Sequence, residues 1–338
     1  MKKKIISVIQ YIFFLLIGLV LLFFVFRKLD LHEVWNEIKH ARYEWLLASL
    51  LLGVFSHISR AFRWRILINS LGYKPPVKNI FFSVMFGYLA NAAFPRLGEV
   101  SRCAILSKKN NIPFNSLFGT VIAERFFDLI ILVLIILMVI FLQLDFLREF
   151  VDKYFVSSLT GYLNTRNIIL LIIVGFIVIV LPVVFFFVFY QKIKEFALYK
   201  KIRDFVKGLL EGAKTIIKMR HKLAFMAWTL VIWTFYSLMT YTAFFSLEAT
   251  SGLNFFDGIT IMALGSLGIV APVPGGIGAY QFIVKAILVE IYLIAAEPAA
   301  SYSIVAWAAQ SVLIIFGGII SYYILVIKKS KKNEKTTA

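Results

Sequence analysis

Long uncharged apolar stretches restrict how this chain can fold more than any other feature of its sequence. Residues 5–26, 129–144 and 167–191 contain no charged side chain. A helix needs about 20 mainly apolar residues to cross the hydrocarbon core of a bilayer. Over the whole chain 61% of residues are hydrophobic and 16% are charged, whereas soluble domains average about 45–50% and about 25%. The sequence therefore predicts an all-α polytopic membrane protein.

Six stretches are long enough to be full membrane spans, namely 5–26, 45–66, 115–144, 167–190, 223–247 and 301–327. Three lysines precede the first, as in a signal peptide, but its apolar run is too long for one and no small-residue cleavage site follows, so we expect it to be retained. Two further runs, 80–94 and 259–271, are too short to cross. Each ends at a proline-containing break and leads into another short helical stretch, which predicts two re-entrant helical hairpins.

The distribution of charge orients this arrangement. With a cytoplasmic N-terminus, six spans return the C-terminus to the cytoplasm, and most of the 36 basic residues then fall in cytoplasmic segments, as the positive-inside rule requires. The halves 45–144 and 223–327 each contain a span, a broken hairpin and a long span, but start from opposite sides, which predicts an inverted repeat. We expect a single membrane domain, 1–327, with about eight membrane segments in the cell membrane.

Residues 191–222, between the halves, combine apolar residues at helical spacing with many basic residues. They predict an amphipathic helix on the cytoplasmic surface, which either contacts anionic lipid or simply connects the halves. The tail 328–338 is a short basic cytoplasmic end. Because the net charge of +18 is concentrated in such segments, we expect no nucleic-acid partner.

The sequence lacks the common motifs of metal sites, nucleotide-binding sites and hydrolases. Cys103 is the single cysteine, so no disulfide forms within the chain. The sequence has no His-Glu-x-x-His, paired Cys-x-x-Cys, Walker or Gly-x-Ser-x-Gly motif. We therefore expect no metal site, no cofactor, no catalytic residues and no enzyme activity; the oligomeric state is left open.

The first break, "NAAFPRLGEVSRC" at 91–103, places charges directly after an apolar run. Pro95 ends the first half-helix. Charges are costly in hydrocarbon and persist where they face a cavity or a partner, so we predict that Asn91, Arg96, Glu99 and Arg102 bind substrate. Glu99 and Arg102 are three residues apart and can share one helix face. The alternative is an ordinary hydrated cytoplasmic loop.

A second charged group, "AERFFD" at 123–128, lies within a predicted span. Glu124 and Asp128 share one helix face and repel each other unless a cation lies between them; Arg96, Arg102 and Arg125 are the candidates. We expect Glu99, Arg102, Glu124 and Asp128 to approach one another around one buried polar cavity. The alternative is a span end whose charges reach the headgroup layer.

The second break, "PVPGGIGAYQ" at 272–281, is rich in glycine and proline. Gly275, Gly276 and Gly278 permit close backbone approach. If a half-helix begins near Ile277, its free N–H groups form an anion site suited to a lipid phosphate. The alternative is a plain extracellular turn.

Together these motifs resemble those of a known family. "RWRIL" (63–67), N-x-x-x-P-R-x-G-E-x-x-R (from Asn91), E-R-x-x-D (from Glu124) and P-x-P-G-G-I-G (272–278) occur in the order found in the flippase-like transmembrane domain of lysylphosphatidylglycerol synthases. The resemblance covers nearly the whole chain and implies a protein that moves a lipid or lipid-linked molecule between leaflets. We expect this protein to lack the family's soluble aminoacyl-transferring domain. Many relatives carry a glutamate after the glycine loop where this chain has Gln281, which removes a carboxylate.

Three hypotheses follow. The first is a flippase or transporter-like protein for a phospholipid or lipid-linked molecule. The second is a membrane enzyme that modifies lipids with Glu124 and Asp128 as an acid/base pair. The third is a partner subunit without transport of its own. The candidate substrate-binding set is Asn91, Arg96, Glu99, Arg102, Glu124, Arg125, Asp128, Gly275, Gly276, Gly278 and Gln281.

Overall fold

A computed structural model describes residues 2–95, 97–142 and 221–327. Over these residues the secondary structure is helical, with ten α-helices and no strand. The helices are α1 Lys2–Phe26, α2 Leu31–Lys39, α3 Tyr43–Ser70, α4 Val77–Ala93, α5 Leu97–Asn110, α6 Phe114–Leu142, α7 Lys222–Phe244, α8 Phe255–Val270, α9 Ala279–Glu290 and α10 Ala296–Tyr322. Short 3₁₀ turns at Glu248–Thr250 and Pro274–Gly276 and a π-helical end at Tyr323–Ile327 complete the described structure.

Three of the described helices are long and apolar enough to cross a membrane: α3, α7 and the helix Ala296–Leu325 that begins as α10. Tyr11–Phe26 and α2 make a fourth span if this pair, bent by 94°, is counted as one. The three long helices coincide with the predicted spans 45–66, 223–247 and 301–327. The predicted span 167–190, the connector 191–222 and the tail 328–338 lie outside the described residues.

Helices α3 and α7 pack closely along each other. The Ser49 hydroxyl donates to the Met239 carbonyl across 2.9 Å. The rings of Phe62 and Trp228 stack with centroids 5.0 Å apart. The serine hydroxyl is paired with a backbone carbonyl, and small residues of this kind let two membrane helices approach closely.

Helices α4 and α5 are separated by a sharp break. Helix α4 ends at Ala93, one residue before Phe94 and two before Pro95. The Asn91 side-chain oxygen accepts from the Gly98 amide at 2.6 Å, which satisfies a donor at the start of α5 that has no partner within the helix. A Cβ built on Gly98 collides with the Gly87 carbonyl. Glycine at 98 therefore allows the two helices to pack against each other as a hairpin.

A second break separates α8 from α9. Asn254 and Asp257 form a capping box that starts α8, and Ala271 follows the helix as its C-cap. Gly275 adopts φ 58°, and its carbonyl accepts from the Trp307 indole N–H on α10 at 2.8 Å. The loop is thus held in place by a neighbouring helix.

The contacts described below belong to one compact unit, which contains the described residues up to 136 and those from 221 to 327. It contains two apolar cores. One surrounds Trp64 and Leu67 of α3, and the other surrounds Phe244 of α7 and Tyr302 of α10. The charged residues of interest lie beside the first core, next to the break between α4 and α5.

Candidate functional site

A cluster of buried ion pairs joins α3, α5 and α6. Arg63 of α3 donates from Nη2 to Glu124 Oε1 at 2.8 Å and from Nη1 to Asp128 Oδ1 at 2.6 Å. Arg102 of α5 donates from Nη2 to the other oxygen of Glu124 at 3.0 Å. Both oxygens of Glu124 are therefore bound by arginine, and these contacts fix three helices relative to one another.

Arg60, one turn before Arg63, extends the cluster to α7. Its Nη1 lies 3.2 Å from Glu124 Oε1 and 3.3 Å from Asp128 Oδ2. Its Nη2 donates to the Tyr236 hydroxyl at 3.1 Å. The two acids, four residues apart on α6, are thus neutralised by arginines from two other helices, and this removes the repulsion that their spacing would cause.

Because the charged side chains of the cluster are buried, each one needs its partners. The side chains of Arg63 and Glu124 are fully buried and that of Asp128 is 12% exposed. Charges of this kind persist in low dielectric only when paired, and removing one partner of a buried pair typically costs about 3–5 kcal/mol. The Arg102 guanidinium also lies 4.6 Å from the centroid of the Trp64 ring, a favourable cation–π contact. The cluster therefore depends on every member.

Two members of this cluster, Arg60 and Arg63, were not among the predicted site residues. The signal for them is present in the sequence: two arginines three residues apart lie inside the apolar stretch 45–66, where charge is costly. The expected cation for Glu124 and Asp128 was Arg96, Arg102 or Arg125. The structure shows Arg102 on Glu124, with Arg60 and Arg63 as the other partners.

A separate ion pair is partly open. Arg125 Nη2 lies 3.0 Å from Glu99 Oε1, with the two side chains 39% and 23% exposed. Although Arg125 follows Glu124 directly in sequence, it points to a different partner because adjacent helical residues lie about 100° apart around the axis. Glu99 pairs across helices with Arg125, whereas Arg102, three residues later, pairs with Glu124.

This open pair lines a cavity of about 390 Å³ between the two helix breaks. Pro95 and Pro272, one from each break, both contribute to its wall. Helix α10 closes another side with Trp307, Gln310 and Ser311. The volume falls within the range of about 300–1,000 Å³ typical of small-molecule sites.

The structure divides the predicted site residues into three groups. Four of them line the cavity: Asn91, Glu99, Arg125 and Gly275. Three belong to the buried cluster: Arg102, Glu124 and Asp128. Gly276, Gly278 and Gln281 belong to the second break but do not line the cavity, and Arg96 lies outside the described residues.

Glycines in the second break allow the backbone to pack closely against neighbouring residues. A Cβ on Gly278 collides with the Gly18 carbonyl of α1, and one on Gly276 comes within 2.9 Å of the Ile269 side chain. Helix α9 begins at Ala279, two residues after the expected start. The Gly278 amide donates to Gln281 Oε1 at 2.7 Å, so this amide is already bonded. Gln281 caps its own helix in the described structure.

Comparison with known proteins relates this chain to a family and to two individual proteins. A 166-residue segment is 28% identical to a UPF0104 membrane protein of Methanocaldococcus jannaschii and covers 48% of this chain and 44% of that protein. A 103-residue segment is 28% identical to the glycosyltransferase AglD of Haloferax volcanii and covers 30% of this chain and 16% of that protein. Each match thus spans less than half of the relative's length.

No solved structure matches this chain. The family model for the lysylphosphatidylglycerol synthase TM region matches residues 11–318, which contain the ion cluster, both breaks and the cavity. The chain belongs to the lysylphosphatidylglycerol synthase TM region family.

Proposed function

We propose that this protein moves a phospholipid or a lipid-linked molecule between the leaflets of the cell membrane. Family membership supports a function in a membrane, and three described helices are apolar enough to cross one. The chain offers a path for a polar headgroup, because its described core contains a cavity lined by charged residues.

The observation that carries this proposal is the position of the cavity between two helix breaks. Asn91, Pro95 and Glu99 contribute from the first break, and Pro272 and Gly275 from the second. Irregular backbone at membrane depth is tolerated where it lines a polar cavity, and discontinuous helices form the substrate sites of many transporters. A lipid headgroup bound here would be shielded from hydrocarbon while its acyl chains stay outside.

The acid/base alternative has less support from the geometry. Glu124 is fully buried, and both of its carboxylate oxygens accept hydrogen bonds from arginines. Asp128 is bound by Arg60 and Arg63. A general acid or base must reach the proton that it transfers, and these carboxylates are already occupied. The match to a protein named a glycosyltransferase covers 16% of that protein, so its activity is not carried over to this chain.

The proposal includes an arrangement in the membrane. Helices α3 to α6 are 28, 17, 14 and 29 residues long, and α7 to α10 are 23, 16, 12 and 27 residues long. This matching order supports an inverted repeat of two halves, each with one re-entrant hairpin, within six full spans. Both termini would be cytoplasmic, and residues 191–222 would lie on the anionic cytoplasmic surface.

Reconstitution tests the proposal. The purified full chain is placed in vesicles that contain a fluorescent phospholipid in both leaflets, and a membrane-impermeant reductant is added. Protein-free vesicles lose about half of the signal, because only the outer leaflet is reached. We expect vesicles with the protein to lose clearly more than half, since inner-leaflet lipid is brought to the reductant.

Lipid extracts from the same vesicles separate the three hypotheses. Unchanged lipid species together with transfer support the proposal. New chemical species would favour the lipid-modifying enzyme. Neither transfer nor new species would contradict the proposal and favour a subunit that assists a partner.

A further inference from the structure

The charged groups of the buried cluster and of the open pair do not balance when they are counted together. Four arginines and three carboxylates form the buried cluster and the open pair, which leaves one positive charge in excess among these described residues: Arg60, Arg63, Arg102 and Arg125 against Glu99, Glu124 and Asp128. An uncompensated charge in a low-dielectric region is costly. The excess lies in the buried cluster, where Glu124 directly precedes Arg125, and it therefore favours negative charge in the neighbouring cavity.

Arg125 is the cation that a ligand in the cavity reaches first. Its side chain is 39% exposed and lines the cavity, whereas Arg60, Arg63 and Arg102 are sealed at 5% exposure or less. A guanidinium carries five N–H donors. Arg125 Nη2 lies 3.0 Å from Glu99 Oε1, and Arg125 Nε has no hydrogen-bond partner among the described residues. Arginine binds phosphate with paired parallel hydrogen bonds.

The rest of the wall favours an amphiphile over a free ion. Arg125 and Glu99 are the described charged residues of this wall. Ile269, Val270 and Ile314 line the apolar part of the wall, and Val270 is 68% exposed. A molecule with an anionic end and an apolar end matches both parts.

We infer that this cavity selects anionic lipids over zwitterionic ones, with the lipid phosphate bound by Arg125 and with Glu99 weakening that binding. The inference rests on the proposed function and names its substrate class. Glu99 pairs with Arg125 at the cavity wall, but its negative charge repels an incoming phosphate. The two members of one ion pair therefore have opposite effects on the same ligand.

Binding of short-chain lipids to the purified full chain in detergent tests this inference. Titration calorimetry compares dihexanoylphosphatidylglycerol, which is anionic, with dihexanoylphosphatidylcholine, which is zwitterionic. We expect the wild type to bind the anionic lipid about tenfold more tightly, which corresponds to about 1.4 kcal/mol. Arg125→Gln should remove most of this preference, and Arg125→Lys should keep part of it.

Glu99→Gln is the most informative variant, because the inference predicts that its affinity for the anionic lipid rises. It should bind the anionic lipid more tightly than the wild type, and a folding defect cannot produce that result. Arg42→Gln and Glu44→Gln are matched controls, since both residues are exposed at the start of α3 and do not line the cavity. Both should leave the preference unchanged.

Three results would overturn the inference. They are equal affinity of the wild type for the two lipids, an unchanged preference in Arg125→Gln, and weaker binding of the anionic lipid by Glu99→Gln. If glycerophosphoglycerol bound as tightly as its lipid, the ligand would be a free headgroup rather than a lipid. Selective binding without transfer in vesicles would contradict the proposed function alone, and transfer without selectivity in binding would contradict this inference alone.

Discussion

Arg63 is the residue on which the buried cluster depends most. Its side chain is fully buried and bonds to both Glu124 and Asp128, and its third partner is the Thr229 hydroxyl at 3.3 Å. The planar guanidinium can serve two carboxylates at once, which a lysine ammonium does less well. Arg63 therefore links α3 to α6 through charge and to α7 through a hydroxyl.

Replacement of Arg63 by glutamine should destabilise the protein strongly. It leaves Glu124 and Asp128 short of positive charge in a buried position, which typically costs about 3–5 kcal/mol. Arg65→Gln is the matched control, because Arg65 lies on the same helix, is half-buried and forms no ion pair among the described residues. Thermal unfolding in detergent should show a much larger fall in melting temperature for Arg63→Gln. An equal fall in the two variants would contradict the structural role of the cluster.

At the scale of elements, glycines fix how the broken helices pack. Gly98 lies against the Gly87 carbonyl and the Asn91 side chain, so α5 can lie directly on α4. Interfaces between membrane helices commonly use small residues for such close approach. The walls of the cavity depend on this packing, because Asn91 and Glu99 come from the two helices concerned.

Gly98→Ala should separate α4 from α5 and lower stability, since a methyl group has no room there. Gly119→Ala on α6 is the control: no atom lies within 4 Å of its added Cβ, and alanine favours helix over glycine by about 0.8–1.0 kcal/mol. We expect a lower melting temperature for Gly98→Ala and an unchanged or higher one for Gly119→Ala. A Gly98→Ala protein as stable as the wild type would show that the helices do not pack this closely.

Sequence patterns predicted the helical elements better than their contacts. Hydropathy located α3, α7 and α10, and the prolines located both breaks, because these signals are local in sequence. The partners of Glu124 were harder to predict, since Arg60 and Arg63 precede it by 64 and 61 residues. Helical spacing favoured Glu99 with Arg102, but each pairs with a residue of α6 instead. Pairing across helices depends on packing, which local spacing does not report.

At the scale of the whole molecule, the described helices combine an apolar outer surface with charged residues in the interior. Large apolar side chains are exposed along α1, α6 and α10, as expected for contact with lipid. The charged residues discussed above are instead collected in the cluster and the cavity wall. An apolar exterior with a polar interior is the arrangement that a path for lipid headgroups requires.

The proposed arrangement in the membrane makes a labelling prediction. In a Cys103→Ser background, Gly252→Cys should react with an impermeant thiol reagent in intact cells, whereas Lys74→Cys and Lys335→Cys should react only after the cells are opened. The reason is that the loop after α7 would be extracellular, and the loop after α3 and the C-terminus would be cytoplasmic. Gly252 and Lys74 are both exposed. Labelling of Lys74→Cys in intact cells would contradict this topology.

The central claim is that lipid passes through the cavity. The most direct test is to measure lipid transfer by a variant whose cavity is blocked by a large side chain. Ser311 lines the cavity on α10, and its neighbour Val312 is 48% exposed. In the vesicle assay, Val312→Trp should transfer lipid like the wild type, because its bulk faces away from the path. Ser311→Trp should reduce transfer at least several-fold at equal protein incorporation. Transfer by Ser311→Trp at the wild-type rate would contradict the account.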